Sequence, residues 1–484
     1  MMKRKKDNKN DKLIVFMVCF FAFAFLSWII SGSTYQSGKL VDVGMYRAGL
    51  YDLVAVIISG ITYKIEDIIY ILFVGGMYGV LVKTDSYKKI VQKTVNFIKG
   101  KEAIAFAVIT LLIGLYTSVS SSIMTLFFLV PFIMTVFLKS GHDKLTAISA
   151  GFGGLLLGYI GQTFGTYGVM NTISSSTTPF LLDYLSVGAS DFILAKLIIF
   201  LVAYVLFNVF AIIHINKNKK EELVEEDIFA IEELANTSKK KVRIAVWPTV
   251  LMGVLSLIII LVGYVSWNNS FNVTFFDELH SAIMGFSLAD IKIVETIFGP
   301  NLTAIGTWND FLPAVFFMLI SLLIIVLTNK MAFSDAVSSF GEGVKKIAKV
   351  AFIYGLAFSF LYLMTAFPWA TSLVDAFIPK ESFNIILLLV AAIVAVLFCA
   401  DPSFAGYYYG SYLAALFSAN AAATAVVWRL GSSIALLFGP TSFILLAALT
   451  YADVPYTKWL KYIWKFALSL IIATLIILAV VVYI

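Results

Sequence analysis

Residues 385–417 read IILLLVAAIVAVLFCADPSFAGYYYGSYLAALF, and four residues in the middle of that run decide the fold. The run is long enough to cross a hydrocarbon core of about 30 Å, yet Ala400-Asp401-Pro402-Ser403 interrupts it halfway. Asp followed by Pro is a helix start, because the carboxylate accepts from the first free amides and proline has no amide to leave unpaired. One helix therefore ends and another begins mid-run, which predicts a re-entrant hairpin over 383–418. Such a turn survives at membrane depth only when packed in protein or set on a wet cavity, since lipid offers backbone N–H and C=O groups no partner.

Three further apolar segments are broken in the same way. Thr117-Ser118-Val119-Ser120-Ser121-Ser122 interrupts 102–138, Gly161-Gln162-Thr163-Phe164-Gly165-Thr166 interrupts 145–171, and Gly439-Pro440-Thr441-Ser442 interrupts 421–450. The order hairpin, then broken helix, thus occurs twice, and the two occurrences align at a slowly drifting offset. Asp52 and Gly60 fall on Asp335 and Gly343 at 283, ILFVGGMYGVL from Ile71 falls near 356–363 at 282, and 118–122 falls on 400–404 at 282. Gly153-Gly154 and Gly161-x-Thr163 fall on Gly431-Ser432 and Gly439-x-Thr441 at 278. The expected fold is an all-α polytopic membrane protein of two inverted repeats, each with a re-entrant hairpin and a discontinuous helix.

Composition agrees with a lipid environment. Hydrophobic residues make up 60% and charged residues 13% of 484, and mean hydropathy is +0.94, against about 45–50% apolar and 25% charged in soluble domains. Ordinary spanning helices are expected near 13–31, 65–82, 190–214, 246–266, 309–329, 350–366 and 459–484. With a cytoplasmic N-terminus and hairpins that return to the side they enter, 28 of the 35 Lys and Arg residues lie on inner segments and five on outer ones, as the positive-inside rule requires. This places the first hairpin's entry inside and the second's outside. The net charge of +6 then reports topology, not nucleic-acid binding. The expected division is 1–44 N-terminus and first helix, 45–215 repeat 1, 216–245 charged cytoplasmic linker, 246–327 scaffold helices and outer loop, and 328–484 repeat 2. Residues 84–100 read as an amphipathic helix on the inner surface. The basic start followed by an apolar run resembles a signal sequence without a cleavage pattern, so an uncleaved first helix is expected.

Broken helices leave free N–H groups and carbonyls at mid-membrane, where they attract anions and cations. The candidate substrate-binding residues are Ser118, Ser120, Ser121, Ser122, Gln162, Thr163 and Thr166 from the first half. Ser403, Arg429, Pro440, Thr441 and Ser442 come from the second. Asp401, ionisable and near mid-bilayer, is the candidate ion-coupling residue as well as a cap. Arg429 has a substrate carboxylate or Asp401 as candidate partners, with snorkelling as its bland reading; Lys196, near a helix end, reads as a snorkelling side chain. Cys19 and Cys399 form no framework, and His142, His214 and His280 lack ligand partners at metal spacing, so no metal site is expected. No phosphate loop or nucleophile elbow is present, and the chain does not read as an enzyme.

VGGMYGVLVKT (74–84) and above all GPTSFILLAALTYADVPYTKWLKYI (439–463) resemble the YfcC-like and DcuC-type anaerobic four-carbon-dicarboxylate carriers, relatives of the AbgT transporters in the ion transporter superfamily. The resemblance implies an elevator-type secondary carrier, often a homodimer, driven by Na⁺ or H⁺ or by exchange. Where such families show a carboxylate-bearing first tip, an Asn-Pro first loop and a Ser-Gly-Ser-Gly second tip, this chain has SVSSS, GQTFGT and ADPSFAG. The motif carried over is therefore Pro440, Thr441 and Ser442. The expected function is secondary active transport of a small carboxylate-bearing metabolite (a dicarboxylate, amino acid or short peptide) across a bacterial plasma membrane. No cofactor is expected beyond Na⁺ or H⁺ as coupling ion. The alternatives left open are an ion or solute channel and a non-transporting assembly protein.

Overall fold

The computed structural model describes residues 11–36, 38–120, 123–163, 181–188, 191–217, 228–231, 246–265, 267–308 and 310–483. These are overwhelmingly helical, with two short antiparallel ribbons: Gly32–Gln36 with Lys39–Gly44, and Ser287–Leu288 with Ile291–Lys292. Both ribbons lie in segments between apolar runs, where hydropathy carries no helical signal.

The solvent for much of the surface is hydrocarbon. Along Tyr456–Tyr483 the exposed large apolar side chains are Trp464, Leu468, Ile472, Ile476 and Val480. Along Ile193–Lys217 they include Leu201, Val205, Val209 and Ile213. A stripe repeating every fourth residue is one face of a helix, and an outward apolar face of this length is stable only against lipid. Among the described helices, Glu102–Ser120, Ile193–Lys217, Phe333–Ala366 and Tyr456–Val482 are long and apolar enough to cross a bilayer.

The first hairpin is built from Glu102–Ser120, a 3₁₀ segment Thr125–Leu129 and Val130–Lys139. The second is Ile385–Cys399 with Pro402–Phe417. Each packs its first arm on the helix that precedes the following break, Gly153–Ile160 or Ala421–Phe438. The segment 350–366, expected as a span by itself, is the end of a longer helix: Phe333–Ala357 runs with little interruption into Ser359–Ala366. Its N-terminal part is tolerated because Ala336, Ser339, Gly343 and Ile347 bury one face while Lys345, Lys346 and Lys349 keep the opposite faces polar. Asp85–Ile98 leaves Ile65–Leu81 at 93°, the geometry of a helix lying along a surface.

Leu50–Tyr63 and Ile65–Leu81 cross this long helix at two glycines. A Cβ at Gly343 would sit 2.1 Å from the Gly75 carbonyl oxygen, and one at Gly60 would sit 2.5 Å from the Ser359 nitrogen. The Cβ at Gly60 would also sit 2.7 Å from the Phe358 carbonyl carbon, so the pairs 60 with 358 and 343 with 75 exchange partners at the offset of 283 found above, as two copies of one packing would. Tyr354 donates its hydroxyl to Asp67 across the same crossing.

Trp247–Gly263 and Leu312–Thr328 run antiparallel, with Thr249 meeting Asn329 and Ser256 meeting Ser321 through hydroxyls 2.7 Å apart. At the turn between the first hairpin and its broken helix, Asp143 caps Lys144–Gly151, accepting from the Thr146 amide at 3.0 Å and its hydroxyl at 2.7 Å. Burial works to raise the Asp143 carboxyl, but hydrogen bonds from His214 and Thr146 outweigh it and hold it at about 2. A depressed carboxylate contributes stability above its unfolded value of about 3.9 and loses it as pH falls through the folded one. Asp143→Ala is therefore expected to cost about 1 kcal/mol at neutral pH, with the gap to wild type closing as pH drops from about 4 toward 2. Unfolding in detergent across pH measures it, and a gap independent of pH would remove the carboxylate's charge from the account.

Candidate substrate site

The first tip and the first broken loop are tied together by short polar side chains. The Ser118 hydroxyl donates to the Gly161 carbonyl at 2.7 Å and lies 3.1 Å from the Thr163 hydroxyl, while the Thr163 amide donates to the Ser118 carbonyl at 3.0 Å. In the second half the Thr441 hydroxyl donates to the Leu397 carbonyl at 2.9 Å, and Ser442 caps Phe443–Ala452 through the Leu445 amide at 3.3 Å. Thr163 and Thr441 thus do equivalent work, each binding a broken loop to a hairpin arm. These hydroxyls satisfy backbone groups that lipid could not. Pro440 sits half-buried between Gly439 and Thr441, and Ser120 is buried. Ser121, Ser122 and Thr166 lie outside the described residues.

Asp401 is 5% exposed and acts as the cap the sequence predicts: its Oδ1 accepts from the amides of Ser403 at 2.8 Å and Phe404 at 3.4 Å. Ala400 before it takes φ of 63°, which reverses the chain at the hairpin tip. No ion pair joins Asp401 to Arg429 among the described residues.

Gln162, Ser403 and Arg429, from three different interrupted segments, line one cavity of about 40 Å³ together with Tyr159, Trp428, Ser432 and Ser433. The Tyr159 hydroxyl is within hydrogen-bonding reach of both Gln162 and Ser403. The Ser433 hydroxyl is 3.0 Å from the Tyr159 carbonyl, so the two broken helices are joined directly. The chemistry of the wall is one-sided. Arg429 Nη1, Trp428 Nε1 and Ser432 Oγ are all buried and none has a hydrogen-bond partner among the described residues. The first two can only donate. A buried donor without an acceptor costs about 1–3 kcal/mol, more when charged, so these three residues offer donors to an acceptor.

Lys196 departs from its sequence reading. It does not snorkel: it is 6% exposed, points inward from Ile193–Lys217, and its Nζ lies 3.5 Å from the Thr163 carbonyl oxygen. That places it beside the loop carrying Gln162 and within electrostatic range of Arg429. Position near a helix end suggested an escape to the interface, but the side chain turns instead to the Thr163 carbonyl. Ser432 and Trp428 were likewise missed; one helical turn and one residue from Arg429, they were within reach of the same argument.

The profile of the C4-dicarboxylate anaerobic carrier family matches residues 29–483. No curated protein matches the chain. Among solved structures, the Alcanivorax borkumensis YdaH transporter, described as having an unusual topology, is 13% identical over 97% of this chain and 98% of its own, with a TM-score of 0.40. Family coverage of this extent settles membership: the chain belongs to the C4-dicarboxylate anaerobic carriers, and is a multi-pass membrane transporter of carboxylate solutes, not an enzyme.

Proposed function

We propose that the protein is an elevator-type secondary carrier for a four-carbon dicarboxylate. One carboxylate of the solute is held by Arg429, Trp428 and Ser432, and the other is turned toward Lys196. The observation that supports this is the set of buried donors without acceptors on one cavity, with a second buried cation close by. A carboxylate supplies up to four acceptor sites, which match a guanidinium and neighbouring N–H and O–H groups. Two cations suit two carboxylates. A cavity of about 40 Å³ has room for a few waters at about 10–15 Å³ each, less than such a solute needs. Binding therefore requires the hairpin tips to part, which fits a moving hairpin domain and two inverted repeats. The excess of basic residues on alternate loops supports a cytoplasmic N-terminus, and membership of this carrier family supports a bacterial plasma-membrane protein working as a homodimer.

Uptake of radiolabelled succinate into proteoliposomes, with and without imposed Na⁺ or H⁺ gradients, tests the reading. Saturable, gradient-stimulated uptake is expected; non-saturating ohmic current would indicate a channel instead. Lys196→Gln is expected to reduce succinate affinity about tenfold or more while leaving a four-carbon monocarboxylate nearly unaffected, since only the second carboxylate loses its partner. Equal losses for both would remove Lys196 from recognition.

Asp401 is the proposed coupling residue. Asn caps a helix as well as Asp does, so Asp401→Asn should fold normally while losing gradient-driven uptake. Wild-type gradient dependence in that variant would leave Asp401 as a cap alone.

A further inference from the structure

A second cavity, separate from the substrate site, lies where the helix pair Trp247–Gly263 and Leu312–Thr328 meets the second arm of the first hairpin. It encloses about 270 Å³, walled by Met77, Leu81, Phe128, Phe132, Val254 and Leu322. Gly253 opens onto it, and a Cβ added there would meet no atom within 4 Å. Its polar wall atoms are already bonded within the protein. The Tyr78 hydroxyl donates to the Phe128 carbonyl at 2.7 Å, the Thr249 hydroxyl to Ser86 at 2.8 Å, and Ser256 and Ser321 bond to each other at 2.7 Å. This is the reverse of the substrate cavity, where donors stand without acceptors. A space lined this way does not stabilise water, and apolar cavities of such size stay dry and take up hydrocarbon.

The cavity also communicates with the bilayer. Val250 and Val254 belong to its wall, yet each is 45% exposed on the lipid-facing side of Trp247–Gly263, beside exposed Leu251, Leu255 and Ile258. At its other end the wall is formed by Tyr87 and Ile90 of Asp85–Ile98, the helix bent 93° from its neighbour. Lys88 and Lys89 lie between those two residues, and Lys83 follows the wall residue Leu81 by two positions. None of the three lysines forms an ion pair with a carboxylate of the described residues. An apolar slot open to the bilayer, with lysines on the adjoining amphipathic helix and within two residues of its wall in sequence, matches one ligand in both chemistry and position.

We propose that this cavity binds an acyl chain of an anionic phospholipid, with the phosphate held by Lys83, Lys88 and Lys89. The lipid would sit between the hairpin arm carrying Phe128 and Phe132 and the helix pair carrying Val254 and Leu322, filling a joint that direct side-chain packing leaves open.

The test uses the full-length protein in detergent, supplied with dioleoyl phosphatidylglycerol or dioleoyl phosphatidylcholine. Native mass spectrometry counts bound lipid, and thermal unfolding reads stabilisation. Wild type is expected to retain phosphatidylglycerol and to melt several degrees higher with it than with phosphatidylcholine. The double variant K88Q/K89Q, altered only at half-buried surface lysines, should lose that preference. Gly253→Phe fills the slot and should lose retained lipid of both kinds. Equal retention of the two lipids by wild type overturns the headgroup assignment. Undiminished retention by Gly253→Phe overturns the cavity as the binding place.

Discussion

Arg429→Gln is expected to abolish dicarboxylate uptake and to weaken binding roughly 10- to 100-fold, while making the unliganded protein more stable, not less. The two signs have one cause. Arg429 Nη1 is buried with no hydrogen-bond partner among the described residues, so without solute the guanidinium carries a desolvation cost. Removing a buried charge that lacks a partner relieves that cost. With solute bound, the same guanidinium makes charge-assisted hydrogen bonds of about 1.5–3 kcal/mol each, and about 1.4 kcal/mol is tenfold in affinity. Glutamine preserves part of the volume and one donor, so the variant separates charge from packing. Succinate binding by calorimetry and thermal unfolding without ligand measure the two effects. A variant that binds weakly and also melts lower would mean that Arg429 holds the fold together and that its lost function is secondary. A variant that transports normally would exclude it from the site.

The architecture was legible because lipid removes alternatives. A run of apolar residues in lipid must be helix, so residues that cannot continue a helix, such as Pro402 after Asp401, report turns with little ambiguity. The second tip and the second broken helix lie where the interruptions put them, at Ala400 and Asp401 and between Phe438 and Phe443, whereas Thr117–Ser120, expected as part of the first interruption, continue the helix Glu102–Ser120, and Ser121 and Ser122 lie outside the described residues. The site was legible only in part. Hydroxyls at a break signal that backbone groups need partners, but not whether a solute or a neighbouring carbonyl supplies them. Ser118, Thr163, Thr441 and Ser442 bond to backbone, whereas Ser432, an unremarkable serine in a continuous helix, has no partner among the described residues. Lys196 was misread for a related reason. Snorkelling depends on what lies within the side chain's reach, and the Thr163 carbonyl that Lys196 meets belongs to another segment. Helix positions follow from each segment's own residues; partner assignments follow from contacts between segments far apart in sequence.

Gly343→Ala is expected to lower stability by about 3 kcal/mol or more, a large effect for one methyl group. At the crossing of Phe333–Ala357 with Ile65–Leu81, an added Cβ would lie 2.1 Å from the Gly75 carbonyl oxygen and 2.8 Å from the Gly79 Cα. Neither neighbour is a side chain that can rotate away. Two backbones must separate, and overpacking costs of about 1–3 kcal/mol for movable side chains are therefore a lower bound. The control lies two residues upstream. A Cβ at Gly341 meets no atom within 4 Å, and Gly→Ala in a helix interior gains up to about 1 kcal/mol, so Gly341→Ala should raise the melting temperature. Gly60, whose added Cβ would lie 2.5 Å from the Ser359 nitrogen and 2.7 Å from the Phe358 carbonyl carbon, is the position that an internal duplication pairs with Gly343. Gly60→Ala should then fall with Gly343→Ala and not with Gly341→Ala. Melting of the three variants in detergent, followed by tryptophan fluorescence, tests both claims. If Gly343→Ala melts with wild type, the two helices are not in backbone contact. If Gly343→Ala falls while Gly60→Ala does not, the halves are related in sequence order without sharing the packing that a two-fold axis would force on them.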